Sequence, residues 1–352
     1  MKCCQISIFA KNEFMLTKII EEKLVQKATS LMLFSENIVL ISHTGPDGDA
    51  LGSSLALADF LKLRGKNVKV MYPDFYPSFL SWIPGANESL IYERDKEECD
   101  KYLKEADLIV MVDFNQTKRM GGISEVVSEL KVKKILLDHH PYPDDFADVI
   151  ISYPQIASSS ELVFRLICRG GFYDNITKEC AECIYTGMMT DTGSFTFSSN
   201  NVEMYFIISQ LIEKGIDKDQ IYDKVYNTYT ADRMRLMGYI LHKKMRILEE
   251  YNTAIITITN KDLENFNFRV GDTEGFVNLP LSIEGITFSV FLREDNDKIR
   301  ISFRSKGKFP ANKVAADLFN GGGHLNAAGG EYYGKLVDAV GILENSLADF
   351  II

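Results

Sequence analysis

The sequence predicts an α/β protein in which helices cover both faces of a parallel sheet, followed by a helical linker and a smaller α/β C-terminal domain. Three observations support this prediction. Short apolar runs alternate with helical patterns over residues 37–214, as in chains whose parallel strands are buried on both sides. The pattern is wholly helical over 217–248. Beyond it, apolar residues again alternate between strand and helix spacing.

The first sheet is predicted from five apolar runs bounded by helical segments. Its strands are expected at 37–42, 68–72, 107–113, 134–138 and 148–152. Helices are expected at 53–64, 158–169, 176–190 and 202–214. Ser158 precedes Glu161 by three residues, which is the spacing of a capping box. We therefore interpret the serine-rich segment at 158–161 as a helix start and not as part of a catalytic motif.

The chain is predicted to have three parts, at 1–216, 217–248 and 249–352. The second domain is expected to contain strands at 253–259, 286–293 and 298–305, and helices at 311–319 and 335–350. The first 14 residues are too weakly patterned for a secretory signal. A better helical run begins at Met15, so either Met1 or Met15 is expected to be the native start.

The composition is that of an ordinary soluble protein, with 46% apolar and 25% charged residues. No apolar run reaches the roughly 18 residues of a membrane span, so no membrane association is expected. Six cysteines without regular spacing predict the reducing cytoplasm. A net charge of −10 argues against a surface that coats long duplex nucleic acid. The basic run at 298–313 is either a solvated strand edge or a site for an anionic substrate.

Eight acidic or histidine side chains are expected just past a strand end or in the loop after a helix. They are His43, Asp47, Asp49, Asp113, Asp138, His139, His140 and Asp191. The carboxyl ends of parallel strands meet at the edge where such sheets bind ligands. A single His or Asp in such a position usually has a structural role. The joint occurrence of several such motifs in order predicts a metal site.

The number of candidate ligands predicts two metal ions. Four carboxylates and two imidazoles are available, from His43, Asp47, Asp49, Asp113, His139 and Asp191. They would overfill one divalent ion, but they suit two ions that share a bridging carboxylate. Two metals about 3.5–4 Å apart can hold the attacking and leaving oxygens of a phosphoryl displacement. Oxygen-rich ligation with some imidazole favours Mn²⁺ or Mg²⁺ over Zn²⁺ or copper.

Five segments resemble the motifs of one family. They read HTGPDGDALGSS (43–54), VDFN (112–115), LDHHP (137–141), MMTDTGSF (188–195) and NGGGHLNAAGG (320–330). The first four resemble the motifs of the DHH phosphoesterase superfamily, and the fifth resembles the signature of its DHH-associated C-terminal domain. The resemblance extends over roughly 37–345 and is to the nanoRNase/pAp phosphatase branch. That branch also contains phosphodiesterases of linear or cyclic di-AMP.

The resemblance implies a role for each candidate ligand. His43 and Asp47 would hold one metal, Asp49, His139 and Asp191 would hold the other, and Asp113 would bridge the two. The ions are expected to be Mn²⁺, with Mg²⁺ or Co²⁺ as alternatives. The family also implies that His140 lies near the scissile phosphate, where it stabilises charge or assists protonation. Asp138 is expected to orient a neighbouring imidazole.

The glycine-rich segment of the second domain is expected to bind phosphate, because glycines let backbone N–H groups approach phosphate oxygens closely. The resemblance places Arg304 and His324 on a substrate phosphate, with Gly322 and Gly323 beside them. A site that holds one phosphate while the metals cut another requires a short substrate. Di- to penta-nucleotides or doubly phosphorylated nucleotides are therefore expected over long chains.

Three functions remain open at this point. The first is a cytoplasmic two-metal enzyme that cuts very short oligoribonucleotides to mononucleotides and dephosphorylates pAp-like nucleotides. The second is a phosphodiesterase for pApA or cyclic di-AMP. The third, from a different class, is a catalytically silent nucleotide-binding protein. A homo-oligomer is compatible with each of them.

Overall fold

The computed structural model describes residues 18–295 and 297–350. It divides into two compact units, Met1–Thr228 and Tyr229–Ile352. This division falls inside the segment predicted as a helical linker. The expectation about the native start at Met1 or Met15 lies outside the described residues.

Within the described part of the first unit, six parallel strands form one sheet in the order β3-β2-β1-β4-β5-β6. The strands are β1 (Asn37–Ile41), β2 (Asn67–Tyr72), β3 (Leu90–Ile91), β4 (Leu108–Val112), β5 (Lys133–Asp138) and β6 (Val149–Ser152). The predicted parallel sheet is confirmed. The two-residue strand β3 was not predicted, because a strand so short has no periodicity of its own.

Helices pack against both faces of this sheet. They are α1 (Glu22–Phe34), α2 (Gly48–Leu63), α3 (Tyr92–Glu105), α4 (Ile123–Glu129), α5 (Ser159–Arg169), α6 (Lys178–Asp191), α7 (Val202–Glu213) and α8 (Lys218–Tyr226). Side chains of a strand alternate between faces: Leu40 joins the core formed with α2, α5 and α6, whereas Ile41 joins the core formed with α3 and α4. The predicted cover of helices on both faces is confirmed.

Helix α2 begins five residues earlier than the sequence predicts. Its first residue is Gly48, because the Asp47 side chain caps the helix by accepting hydrogen bonds from the backbone N–H groups of Asp49 and Ala50. Such a cap satisfies N–H groups that have no partner within the helix. The early start brings Asp49 into the first helical turn, where its position is fixed by the helix backbone.

The described part of the second unit contains a mixed sheet in the order β11-β12-β10-β9-β8-β7. Its strands are β7 (Met245–Leu248), β8 (Thr253–Ile258), β9 (Phe288–Asp295), β10 (Lys298–Ser305), β11 (Gly322–His324) and β12 (Ala327–Tyr332). The helices are α9 (Ala231–Tyr239), α10 (Asn260–Asn265), α11 (Ala311–Leu318) and α12 (Leu336–Ser346). The smaller α/β domain is confirmed.

Several segments of the second unit differ from the prediction, and strand β12 and helix α10 were not predicted. The last four residues of the predicted linker, Met245–Leu248, form strand β7, which pairs antiparallel with β8. The end of the glycine run, for which no secondary structure was predicted, lies in the edge strand β11, which pairs with β12. In both cases pairing with a partner strand decides the conformation. Residues 18–295 and 297–350 include no helix both long and apolar enough to cross a membrane.

Candidate active site

The predicted ligands converge at the carboxyl edge of the first sheet. Three groups of acidic and histidine side chains could each hold a metal ion, with ligand atoms all within 4.8 Å of one another. The groups are His43, Asp47 and Asp113; Asp49, His139 and Asp191; and Asp113, His139 and His140. All six predicted metal ligands are therefore brought together, with His140 beside them.

The first group is organised around His43, which follows β1. Its Nε2 lies 3.3 Å from Oδ2 of Asp113 and 4.0 Å from Oδ1 of Asp47. The opposite ring nitrogen, Nδ1, lies 2.9 Å from the carbonyl oxygen of Thr44 and donates to it. That bond fixes the tautomer and leaves Nε2 as the ligand atom.

The second group is organised around His139, which follows β5. Its Nε2 lies 3.4 Å from Oδ2 of Asp191, 3.5 Å from Oδ1 of Asp113 and 4.0 Å from Oδ2 of Asp49. Its Nδ1 lies 3.2 Å from the carbonyl oxygen of Ile156. Both histidines are therefore held by their Nδ1 atoms and present Nε2 to the carboxylates.

Asp113 is a member of the first group and also contacts His139, the histidine of the second group. Its Oδ2 faces His43 and its Oδ1 faces His139, as a bridging carboxylate would. Asp113 has φ 66, in the left-handed region. Among residues with a side chain, Asp and Asn are those that most often adopt this conformation. The unusual backbone turns the carboxylate of Asp113 into the cluster directly after β4.

The carboxylates and imidazoles of the cluster strongly shift one another's pKa values. Burial raises the pKa of Asp49 well above its usual range, and the charges of Asp113 and Asp191 raise it further. Burial alone would raise the pKa of Asp113, but hydrogen bonds with His139 and His43 outweigh it and hold that pKa well below its usual range. Burial alone would lower the pKa of His139, but Asp191 and Asp113 outweigh it and raise that pKa well above its usual range.

Divalent cations fit this set of side chains. A protonated imidazole has no free lone pair on Nε2, and a metal ion that takes the place of the proton leaves the histidine neutral. The positive charge then also offsets the carboxylates crowded around it. Carboxylate oxygens with imidazole nitrogens are donors that suit Mn²⁺ and Mg²⁺. The residues therefore have the chemistry of a divalent-metal site.

His140 is held at the edge of the cluster by two partners. Its Nδ1 lies 2.7 Å from Oδ1 of Asp138, which is fully buried. Its Nε2 lies 3.2 Å from a guanidinium nitrogen of Arg119. Since a guanidinium can only donate, Nε2 accepts and Nδ1 carries the proton. Burial lowers the pKa of His140 despite the nearby Asp138, which favours this neutral ring.

The start of α5 contributes to the cluster, which was not predicted. The backbone N–H groups of Ser159 and Ser160 donate to the two carboxylate oxygens of Asp49, at 2.6 and 2.9 Å. The Ser159 hydroxyl donates to Oδ1 of Asp113, at 2.9 Å. As predicted, Ser158 caps the helix by accepting from the Glu161 N–H. The sequence signal that could have indicated this contribution was the run of three serines at 158–160.

The Glu161 side chain does not form its half of the expected capping box, a hydrogen bond with the backbone N–H of Ser158. Its carboxylate instead accepts a hydrogen bond from Nε of Arg165, at 2.9 Å. Both side chains are almost fully buried. Removing the Glu161 carboxylate from Arg165 would leave a buried charge unpaired, which is costly. The carboxylate therefore bonds to Arg165 and not to the backbone of the cap.

Three of the four predicted phosphate-binding residues, Arg304, Gly322 and His324, lie on one face of the second unit's sheet. Arg304 and His324 both pair with Ala327, from opposite sides of β12. Directly opposed residues of neighbouring strands point to the same side of a sheet. Gly322 pairs with Gly329 in the next row of the same face, so this part of the surface is lined by backbone atoms.

Two glycines of this segment differ in what surrounds them. A Cβ at Gly323, where φ is 142, would lie 2.5 Å from the carbonyl oxygen of Ala327. A Cβ at Gly322 would meet nothing within 4 Å. Gly323 is thus required by the fold, whereas the open space above Gly322 is free for a ligand.

The basic run at 298–313 is partly neutralised within the second unit. Lys298 forms an ion pair with Glu331 at 2.7 Å, and Arg300 forms one with Asp295 at 2.5 Å. The sequence alone suggested a segment without acids, but the acids come from neighbouring strands. The positive charge available for an anion is therefore smaller than the composition of the run indicated.

The parallel sheet and the clustered metal-type ligands define the class to which this protein belongs. The chain matches the model of the DHH family N-terminal domain over residues 37–188 and that of the DHHA1 domain over residues 250–349. It belongs to the DHH superfamily of metal-dependent phosphoesterases.

Similar proteins place the chain more narrowly. It is 53% identical to an exopolyphosphatase-related protein of Bacteroides fragilis, whose crystal structure superposes with a TM-score of 0.90 over 95% of this chain and 98% of that one. It is 29% identical to the bifunctional oligoribonuclease and PAP phosphatase NrnA of Bacillus subtilis, over 85% of this chain and 90% of the relative. The enzyme of the same name from Thermus thermophilus is also 29% identical, over 90% of each chain. The chain therefore falls in the NrnA-like branch of the superfamily.

Proposed function

We propose that this protein is a two-metal phosphoesterase that hydrolyses very short oligoribonucleotides to mononucleotides and removes phosphate from pAp-like nucleotides. The observation that carries the proposal is the convergence of six ligand-type side chains in two groups, with Asp113 in contact with the histidine of each group. The substrate class is supported by the oligoribonuclease and PAP phosphatase activities for which the NrnA relatives are named. We place this activity in the cytoplasm, the compartment that the six irregularly spaced cysteines favour.

We assign the ligands to two ions as the family resemblance implies. His43 and Asp47 would hold the first ion, Asp49, His139 and Asp191 would hold the second, and Asp113 would contribute to both. When bound, divalent cations, Mn²⁺ by preference, would act as Lewis acids on the attacking and leaving oxygens at the phosphorus.

His140 is the side chain of this cluster best placed to handle a proton. Asp138 accepts a hydrogen bond from Nδ1 of His140, and Nε2, on the opposite side of the ring, lies next to Arg119. In our proposal Nε2 first accepts the proton released when water adds to the phosphorus, and then returns it to the leaving oxygen. Asp138 then stabilises the positive charge that forms on the ring, since its buried carboxylate already contacts Nδ1.

The second unit is proposed to select substrates by their length. Arg304, His324 and the backbone at Gly322 and Gly323 would hold a phosphate other than the one that reacts. In this proposal residues 1–216 are catalytic, residues 217–248 connect, and residues 249–352 bind substrate. The oligoribonuclease and PAP phosphatase names of the relatives support short substrates, so long single strands should be poor substrates.

The test is a turnover panel with purified protein and Mn²⁺. The panel contains pAp, pApA, a ribo-pentanucleotide, cyclic di-AMP and a long single strand. We expect turnover of pAp and the short oligonucleotides, and little turnover of the long strand. A preference for cyclic di-AMP would favour the second-messenger phosphodiesterase. No turnover of any compound with Mn²⁺, Mg²⁺ or Co²⁺ would favour a nucleotide-binding protein.

Asp113→Ala is the matched inactive variant. It should lower turnover by more than about 100-fold, since loss of residues that merely support ligands already costs 10- to 100-fold. Asp145→Asn removes an exposed acid from the loop after His140 and should leave turnover unchanged. Equal turnover by Asp113→Ala and the wild type would refute the proposed site.

A further inference from the structure

We propose that Arg119 binds the reacting phosphate, and that substrate thereby releases His140 from the hydrogen bond it makes in the free protein. This inference rests on the proposed function and adds a residue that lies outside the five motifs of the sequence. Arg119 occupies the segment between β4 and α4, six residues after Asp113.

The backbone of Arg119 is fixed to both loops that build the first metal group. It lies in a single 3₁₀ turn, Thr117–Met120, where its N–H donates to the carbonyl oxygen of Gln116 at 3.0 Å. Its own carbonyl oxygen accepts from the N–H of Thr44 at 2.8 Å. Thr44 directly follows His43, so a shift of Arg119 would also disturb that ligand.

The guanidinium lies at the edge of the cluster. One terminal nitrogen is 3.2 Å from Nε2 of His140. Arg119 therefore contacts one histidine of the site directly and is only partly buried.

The chemistry of this contact favours an anion in place of the histidine. A guanidinium offers five N–H donors in a planar fork that matches two oxygens of a phosphate. The lone pair of Nε2 accepts from only one of these donors, and the imidazole ring that carries it is uncharged. A phosphate at the cluster edge would supply two charged oxygens to the fork, so exchange of partners is favoured when substrate arrives.

The exchange has a consequence for His140. In the free protein its Nδ1 proton is bonded to Asp138 and its Nε2 lone pair is occupied by Arg119. Once the guanidinium turns to the phosphate, Nε2 is released and can accept or return a proton at the reacting group. Arg119 thus couples phosphate binding to the availability of His140.

The experiment compares Arg119→Gln and Arg119→Lys with Lys118→Gln in the full-length, Mn²⁺-loaded protein. Lys118 is an exposed neighbour in the same 3₁₀ turn, so its variant removes the same charge from the same segment. Binding of inorganic phosphate is measured by calorimetry, and kcat and KM are measured with pAp. Mn²⁺ affinity and melting temperature show whether each variant remains folded and loaded.

Arg119→Gln should weaken inorganic phosphate binding about 10-fold or more and lower kcat/KM for pAp by about 10²- to 10³-fold. Arg119→Lys should fall between it and the wild type, because an ammonium keeps the charge but lacks the fork. Lys118→Gln should bind phosphate within about twofold of the wild type.

Unchanged phosphate affinity in Arg119→Gln would overturn the inference, even if kcat fell, since the residue would then act only through His140. The phosphate measurement does not depend on the nucleotide substrate. If no nucleotide were hydrolysed but Arg119→Gln still lost phosphate affinity, the proposed function would fail while the assignment of Arg119 stood.

Discussion

Asp113 shows how a single residue can organise this site. Its two carboxylate oxygens face different histidines, so the loss of either oxygen would disrupt one of the metal groups. Its left-handed backbone is costly for most residues. The conformation is held by the N–H of Asp113, which donates to the carbonyl oxygen of Leu137 at 3.0 Å, and by the hydroxyl of Ser159.

The Ser159 hydroxyl is predicted to tune metal affinity without being a ligand. Ser159→Ala removes the hydrogen bond that orients Oδ1 of Asp113. The expected result is a 10- to 100-fold loss of Mn²⁺ affinity, measured by calorimetric titration, together with a matching rise in the Mn²⁺ concentration needed for half-maximal turnover.

The matched control is Ser53→Ala. Ser53 is equally buried, but its hydroxyl donates to the carbonyl oxygen of Asp49 within its own helix. That variant should keep wild-type Mn²⁺ affinity to within about threefold. Equal losses in both variants would mean that any buried serine near the cluster matters for packing alone.

Helices α2 and α6 carry ligands at opposite ends, α2 at its N-terminus and α6 at its C-terminus, and they pack together at glycines. Asp49 lies in the first turn of α2, and Asp191 is the last residue of α6. A Cβ on Gly52 would lie 2.6 Å from the carbonyl oxygen of Cys183 and 2.9 Å from Gly187. The backbones are therefore in direct contact, and their separation sets the distance between the two carboxylates.

Gly52→Ala is predicted to separate these helices. We expect a loss of about 1–3 kcal/mol in the free energy of unfolding, as for other overpacked cores, and weaker Mn²⁺ binding because Asp49 and Asp191 move apart. Urea denaturation and calorimetric titration measure the two effects.

Gly238→Ala provides the comparison within a helix. Gly238 lies in α9 with nothing within 4 Å of an added Cβ, so alanine should raise stability by up to about 1 kcal/mol through helix propensity. If Gly52→Ala behaved like Gly238→Ala, the close crossing of α2 and α6 would be of no consequence.

The edge strand β11 contains one glycine that the fold requires, Gly323, and one that is open to a ligand, Gly322. Gly322→Ala adds a methyl group in open space and should leave the melting temperature within about 1 °C, because exposed substitutions are usually within 0.5 kcal/mol. If a substrate phosphate approaches the backbone there, KM for pAp should rise several-fold while kcat changes little.

Gly323→Ala is the structural counterpart of that variant. Its φ of 142 and the nearby carbonyl oxygen of Ala327 leave no room for a methyl group, so the melting temperature should fall. An unchanged KM in Gly322→Ala would remove the support for phosphate binding at this glycine.

The whole molecule divides its chemistry between two units. All residues of the three metal-type groups lie in the first unit, whereas Arg304 and His324 lie in the second. Ligand binding stabilises only the part of a structure whose folding creates the site. Metal should therefore act on the two units unequally.

Removal of metal is predicted to loosen the first unit selectively. At Mn²⁺ concentrations 100 times the dissociation constant, binding contributes about 2.7 kcal/mol. Hydrogen exchange of amides in α2 and α6 should accelerate on chelation with EDTA, by up to about 100-fold, while amides of β9 and β10 keep their rates. Equal acceleration in both units would contradict a site confined to the first unit.

The sequence was sufficient for the fold because its signals are local or periodic. Buried parallel strands appear as continuous apolar runs, as at 108–112. The grouping of ligand candidates followed from one geometric rule, that carboxyl ends of parallel strands share an edge. Strand β7 escaped prediction because four residues carry too little pattern, and pairing with β8 decides their conformation.

By itself, the sequence determined the two α/β domains and the set of side chains from which a metal site could be built. Only the tertiary structure decided what supports that set: Ser159 on Asp113, Arg119 on His140, and Glu331 on Lys298. These partners are separated by 46, 21 and 33 positions in the chain. Hydrogen bonds and ion pairs depend on distances of a few ångströms between atoms, and spacing along a sequence contains no such distances until the chain has folded.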